Sequence, residues 1–321
     1  MTTLIVDSVF TNAKAYLSGQ IVDCSIAIEE GIIQKIGKET QMPNADERTN
    51  LHGLLVLPGL IDEHVHLRDE GIAYKEDFTS GTAAAASGGF TSVLDMPNND
   101  PVTMNIRTLS NRMSIAHGKV LVNVGFYSEF PKKLSELQDI VAGGAVGFKL
   151  FMGSQVGGLN VDDDQTIQEA FMEVAKLNVP VAVHAEDREL LAANEEKLKQ
   201  AKKIGTTDFL RAHTEAVELK SILRLIKLSE PTDVRLHFCH VSTEQGLNSI
   251  AEVKKSGRKV TCEVTPNHLL LSSQDLKLYG QLAIMAPPLR DKAHLDALWK
   301  GIEVGTVDAV GSDHAPHTKE E

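Results

Sequence analysis

Cysteine is scarce in this 321-residue chain. Its three cysteines, Cys24, Cys239 and Cys262, lie far apart and form no Cys-x-x-Cys pair. That speaks against a disulfide framework and for free thiols in a reducing cytoplasm. Long apolar runs are also missing. No stretch of about 18 apolar residues occurs, so no membrane span is expected. The N-terminus, MTTLIVDSVFTNAK, has no basic segment leading into a long apolar one, so no secretory signal is expected. Positive charge is in short supply: 32 Lys and Arg face 44 Asp and Glu, a net charge of -12. This balance disfavours nucleic acid or an anionic membrane as the main partner. An anionic small molecule stays compatible, because a few local cations can hold one. There is no tandem repeat, no low-complexity segment and no Gly-x-Gly-x-x-Gly turn after a first strand.

What is present is ordinary globular material, 42% hydrophobic, with length enough for a large core. Residues 1–55 read as a small β layer. Runs rich in Val and Ile at 4–10, 21–28 and 32–36 are separated by turns at Ser18-Gly19 and Glu30-Gly31. From residue 56 to 321 the pattern changes. Apolar strand-like runs at 56–65, 90–96, 120–127, 146–152, 179–184, 234–241, 260–265 and 307–311 alternate with helix-like stretches, among them 76–87, 107–117, 163–177, 209–228 and 244–255. Near-continuous apolar strands separated by helices mark a parallel α/β sheet, and eight of them fit a (β/α)8 TIM-type barrel. A doubly wound open sheet is the alternative. The chain stops just past the eighth run without an eighth helix, so it reads as short at its C-terminal end.

In such a barrel the functional site sits at the C-terminal strand ends. The first run, in LPGLIDEHVHLR, carries His64 and His66. Residues two apart on a strand face the same way, so both imidazoles can reach one point. Arg68 follows on the same side and offers a fork for a carboxylate. The fourth run contains Lys149, the fifth ends at His184, the sixth at His240 and the eighth at Asp313. Imidazoles and a carboxylate converging on one rim point to a metal, zinc above all. Lys149 sits among Phe148, Leu150 and Phe151, where desolvation favours the neutral amine. A neutral amine can add carbon dioxide to give a carbamate, an anionic ligand able to bridge two cations. Asn98, in the turn after the second run, offers an amide at the same rim. His317 could reach the pocket. Cys239, next to His240, is expected to face the core by strand alternation. His268 is expected to be structural, and His52, His117, His213, His237 and His294 to lie off the rim. The stretch 153–164, with three glycines and three aspartates, is a candidate mobile lid.

Taken together, PGLIDEHVHLR, DMPNNDP, GFKLFMG, VAVHAED, HFCHVST, VTPNHLLL, APPLR and GSDHAPHT resemble the amidohydrolase superfamily, and within it the class I dihydroorotases. The resemblance runs from about residue 50 to the last residue, with the motifs in order. It implies a binuclear zinc centre, with His64, His66 and Asp313 on one ion, His184 and His240 on the other, and carbamylated Lys149 bridging both. It further implies that Asp313 shuttles the proton, and that His66, Arg68, Asn98 and His317 face the substrate. The implied reaction is reversible ring opening of L-dihydroorotate to N-carbamoyl-L-aspartate, a step of pyrimidine synthesis. Asn267 stands where the family pattern has a His, and Ala286 where it has an Asn. Other cyclic-amide hydrolases, of hydantoinase or allantoinase type, are the alternative within the enzyme class. A catalytically silent subunit scaffolding aspartate transcarbamoylase is the alternative outside it. A homodimer and an association with aspartate transcarbamoylase are both compatible with the resemblance.

Overall fold

The computed structural model describes residues 5–202 and 205–321. The chain divides into two compact units that meet in sequence at Leu60 and Ile61.

The first unit is a five-stranded sheet of β1 (Ile5–Leu17), β2 (Gln20–Glu29), β3 (Ile32–Gly37), β4 (Asn44–Asn50) and β5 (Leu55–Val56). Two tight hairpins join β1 to β2 and β2 to β3. Ser18-Gly19 and Glu30-Gly31 all take positive φ, which matches the twist of the flanking strands. The predicted strand at 4–10 extends through a register shift between Phe10 and Ala13 to Leu17, while residue 4 lies outside the described residues. The polar strand β4, NADERTN, has no apolar alternation to announce it; it forms by pairing parallel to β1. The predicted run 56–65 is not one strand. Leu55–Val56 pairs with β1 in this sheet, and a separate strand resumes at Leu60 after Pro58-Gly59.

The second unit carries eight parallel strands in sequential order: β6 (Leu60–Val65), β7 (Phe90–Asp95), β8 (Asn123–Glu129), β9 (Ala145–Phe151), β10 (Pro180–His184), β11 (Arg235–Phe238), β12 (Val260–Val264) and β13 (Ala309–Val310). A parallel bridge from Val65 to His314, with the His66 N–H donating to the His314 carbonyl at 2.8 Å, brings the last strand's exit back to the first. The sheet is thereby a nearly closed TIM-type barrel, as expected. Helices α1 (Phe78–Ser87), α2 (Ile106–Ala116), α3 (Leu137–Ala142), α4 (Asp164–Leu177), α5 (Arg188–Gln200), α6 (Thr206–Ala212), α7 (Glu215–Ser229), α8 (Glu244–Lys255), α9 (Pro266–Leu270), α10 (Leu276–Tyr279) and α11 (Lys292–Glu303) connect the strands. The stretch expected as one helix over 209–228 is broken at His213-Thr214 into α6 and α7. The main core lies between strands and helices, around Phe78, Phe148, Phe171 and Phe238. A smaller cluster of Met96, Tyr127, Ala182 and Cys239 packs separately from it.

A buried ion pair ties the first two barrel strands to a helix. Arg112 of α2 donates to Asp95 Oδ2 through Nε at 3.0 Å and Nη2 at 2.6 Å, and to the Asp69 carbonyl. Asp95 Oδ1 accepts the Leu67 N–H at 2.9 Å, fixing the backbone between His66 and Arg68. Both side chains are about 1% exposed. Removing one partner would strand a buried charge, so Arg112→Ala is expected to cost about 3–5 kcal/mol in urea unfolding. A loss below about 1 kcal/mol would show that this pair does not hold the rim.

Candidate metal centre

Strand ends bring the predicted residues together. His64 lies on β6 and His66 just beyond it. Lys149 is on β9, His184 closes β10, His240 follows β11 by two residues and Asp313 follows β13 by three. All of them line one cavity of about 750 Å³, together with Arg68, Asn98 and His317. Arg68, His240 and Asp313 each take a left-handed backbone, with φ of 57°, 37° and 51°. That conformation is uncommon for residues other than glycine and clusters at functional sites.

The inner group is compact. Asp313 Oδ1 lies 3.1 Å from His66 Nε2 and 3.3 Å from His64 Nε2. Lys149 Nζ, fully buried, sits 3.4 Å from His64 Nε2 and 3.0 Å from Cys239 Sγ. On the other side His184 Nδ1 and His240 Nε2 are 3.1 Å apart. Three of the four imidazoles have their second nitrogen tied to an oxygen: His64 Nδ1 to Glu263, His66 Nδ1 to Asn98 Oδ1 at 2.6 Å, and His184 Nε2 to Glu186 Oε2 at 2.9 Å. This arrangement fixes ring orientation and leaves the other nitrogen facing inward, as metal-binding histidines require.

Electrostatics agree with a cation-binding set. Burial, with His184 next, holds His240 well below its ordinary range, and burial likewise lowers His66, so both stay neutral donors. Burial works against ionised Asp313, but His64, His66 and His240 outweigh it and keep the carboxylate well below its usual range. Burial and Lys149 oppose a charge on His64, yet Glu263 and Asp313 prevail and raise it well above normal. The proton so held balances two buried carboxylates, the task a bound cation would take over. Converging imidazoles beside a carboxylate, with a built outer layer of hydrogen bonds, fit zinc or a similar divalent ion.

Several partners were not legible in the sequence. Glu263 of β12, completely buried, holds His64. His213, expected off the rim, lines the cavity and bonds Glu186 Oε1 at 2.7 Å, so Glu186 spans His184 and His213. His237, expected off the rim, does not line the cavity but bonds Glu263 Oε2 at 3.0 Å. For Glu263 the available signal was a charged residue inside an apolar strand, the same signal that picked out Lys149. Cys239 is buried as expected, but its sulfur faces Lys149. β11 ends at Phe238, so strand alternation no longer separates Cys239 from His240. His268 is buried against Thr265 and the Pro287 carbonyl, a structural role. Arg68 Nη2 lies 3.5 Å from His317 Nε2, and Lys75 Nζ lies 3.1 Å from His317 Nδ1. Asn267 and Ala286, the two departures from the family pattern, both line the cavity. In the proposed lid, a side chain at Gly157 would strike Glu129 and one at Gly158 the Lys132 backbone, so close approach accounts for these glycines.

Comparison with known proteins agrees with this geometry. The amidohydrolase family model matches residues 55–320. A dihydroorotase of Methanosarcina acetivorans is 34% identical over 97% of this chain and 67% of its own length. An allantoinase of Solibacter usitatus is 32% identical over 97% of this chain and 68% of its own. Among solved structures, the L-hydantoinase of Arthrobacter aurescens superposes with a TM-score of 0.93 at 28% identity, covering 98% of this chain and 70% of that one. Barrel, motif order and sequence similarity together place the chain in the amidohydrolase family.

Proposed function

We propose that this chain is a zinc-dependent hydrolase of cyclic amides, and that its substrate pair is L-dihydroorotate and N-carbamoyl-L-aspartate. The observation that carries this reading is the position of Arg68. It shares one cavity with the His64, His66 and Asp313 group and with Asn98, and lies beside His317. A cation beside a metal-binding group suits a small cyclic amide that bears a carboxylate. Relatives named dihydroorotase, at 33% to 37% identity, support it.

On this reading His64, His66 and Asp313 would hold one ion, His184 and His240 a second, and carbamylated Lys149 would bridge them. Bound there, zinc supplies Lewis acidity for the amide carbonyl and a water of lowered pKa. Asp313 takes the proton of the attacking water and returns it to the ring nitrogen as the C–N bond breaks. Arg68 pairs with the substrate carboxylate. Asn98 commits Oδ1 to His66 and keeps its amide N–H groups for the substrate. The reverse direction closes N-carbamoyl-L-aspartate with loss of water, the step pyrimidine synthesis needs.

The test is a panel of L-dihydroorotate, allantoin and an uncharged hydantoin. With Arg68→Met, kcat/KM for L-dihydroorotate is expected to fall about 10- to 100-fold, the worth of a hydrogen-bonded charge pair. Hydrolysis of the uncharged hydantoin should hardly change, and an equal loss on both would remove the carboxylate-anchor role. A hydantoin or allantoin substrate is the second reading. It is favoured by Ala286 and the apolar wall of Leu282, Ile284 and Met285, and by the allantoinase relative. The silent-scaffold reading has less support, because the candidate donors converge instead of being lost.

A further inference from the structure

Glu263 touches both halves of the candidate metal centre. Its Oε1 accepts from His64 Nδ1, in the half with His66 and Asp313, and from the backbone N–H of His240, in the half with His184, the latter at 3.2 Å. Oε2 accepts from His237 Nε2 at 3.0 Å, and His237 Nδ1 is 2.9 Å from Thr261 Oγ1. The side chain is completely buried, and a Cβ at Gly311 would approach Oε2 to 3.0 Å. The carboxylate is therefore held on every side. Asn98, by contrast, reaches His66 alone of the proposed ligands, and Glu186 reaches His184 alone.

We propose that Glu263 is the positioning residue that couples the two halves, orienting His64 and the His240 backbone from one carboxylate, with His237 as its outer support. Its negative charge makes His64 a stronger electron-pair donor, and the same carboxylate reaches the His240 backbone. The inference rests on the metal-centre reading but not on the choice of substrate.

The experiment measures zinc affinity of the folded apo-protein by competition with a chromogenic chelator, together with absorption spectra of the cobalt-substituted form. In Glu263→Gln the amide oxygen still accepts from His64 and from the His240 N–H, while the charge is lost. Both ions are expected to bind about 10- to 100-fold more weakly, and both sets of cobalt bands to shift. Glu186→Gln is the control and should loosen one ion only. Wild-type affinity for both ions in folded Glu263→Gln, or weakening of one ion only, overturns the coupling role. If Glu263→Gln does not fold, His237→Gln keeps every proposed ligand and should weaken both ions in the same direction by a smaller factor; unchanged affinity there overturns the proposal. A wild-type protein that binds no zinc overturns the metal-centre reading and this inference with it. Two bound zinc ions without turnover of L-dihydroorotate overturn only the substrate assignment.

Discussion

With zinc supplied in excess, Asp313→Asn is expected to keep its metal but to lower kcat for L-dihydroorotate ring opening by about 10²- to 10⁴-fold. Asn keeps the size of the side chain and an oxygen donor toward the metal, but it cannot accept a proton and pass it on. Asp313 is well placed for that task. Its carboxylate lies 3.1 Å from His66 and 3.3 Å from His64, and those imidazoles, with His240, keep it ionised against the cost of burial. It is thus an anion at neutral pH, the protonation state a general base requires. Because the proton moves only on the way to the transition state, kcat and kcat/KM should fall together with KM little changed. Steady-state kinetics with zinc analysis on the same sample checks both halves. Turnover near wild type in Asp313→Asn would falsify the proton-shuttle role.

Lys149→Ala should lose bound zinc and turnover together. The amine nitrogen lies deep in the barrel, within 3.4 Å of His64. The proposed carbamate forms when the neutral amine attacks the carbon of carbon dioxide; one N–C bond is made and one proton leaves to solvent. The product carries one negative charge shared between two oxygens. On the proposed reading those two oxygens would hold one ion each. Without the carbamate the two halves keep only their imidazoles and Asp313, so zinc per chain is expected to drop and activity with it. Intact-protein mass spectrometry of the native wild type should show the added carbon dioxide, and Lys149→Ala should not. Full zinc occupancy in the alanine variant would remove the bridging assignment.

How far the site was legible depends on the residue. His64 and His66 could be placed because a two-residue spacing on a strand sends both rings the same way, and β6 keeps that period up to Val65. Lys149 stood out as a charge in an apolar run. His240 reached the expected rim by another route: β11 ends two residues earlier, and a left-handed turn redirects the ring. Glu263 and His213 were missed because their meaning lies in distant partners. Glu263 meets His64 across 199 positions of sequence, and no local pattern announces that meeting. The same holds for Asp95 and Arg112, ordinary charges on a strand end and a helix until they pair behind Leu67.

From sequence alone came the alternation of apolar strands and helices, the eightfold count, and the side chains that gather at the strand ends. Those are properties of local pattern, where period and burial preference act over a few residues. Tertiary structure decided where the first barrel strand begins, that the helix over 209–228 breaks, and which buried acids hold His64 and His184. Closing a barrel sets strands from opposite ends of the chain side by side. Orientation by hydrogen bonds depends on that closure, because a buried carboxylate is tolerated only where several donors reach it at once.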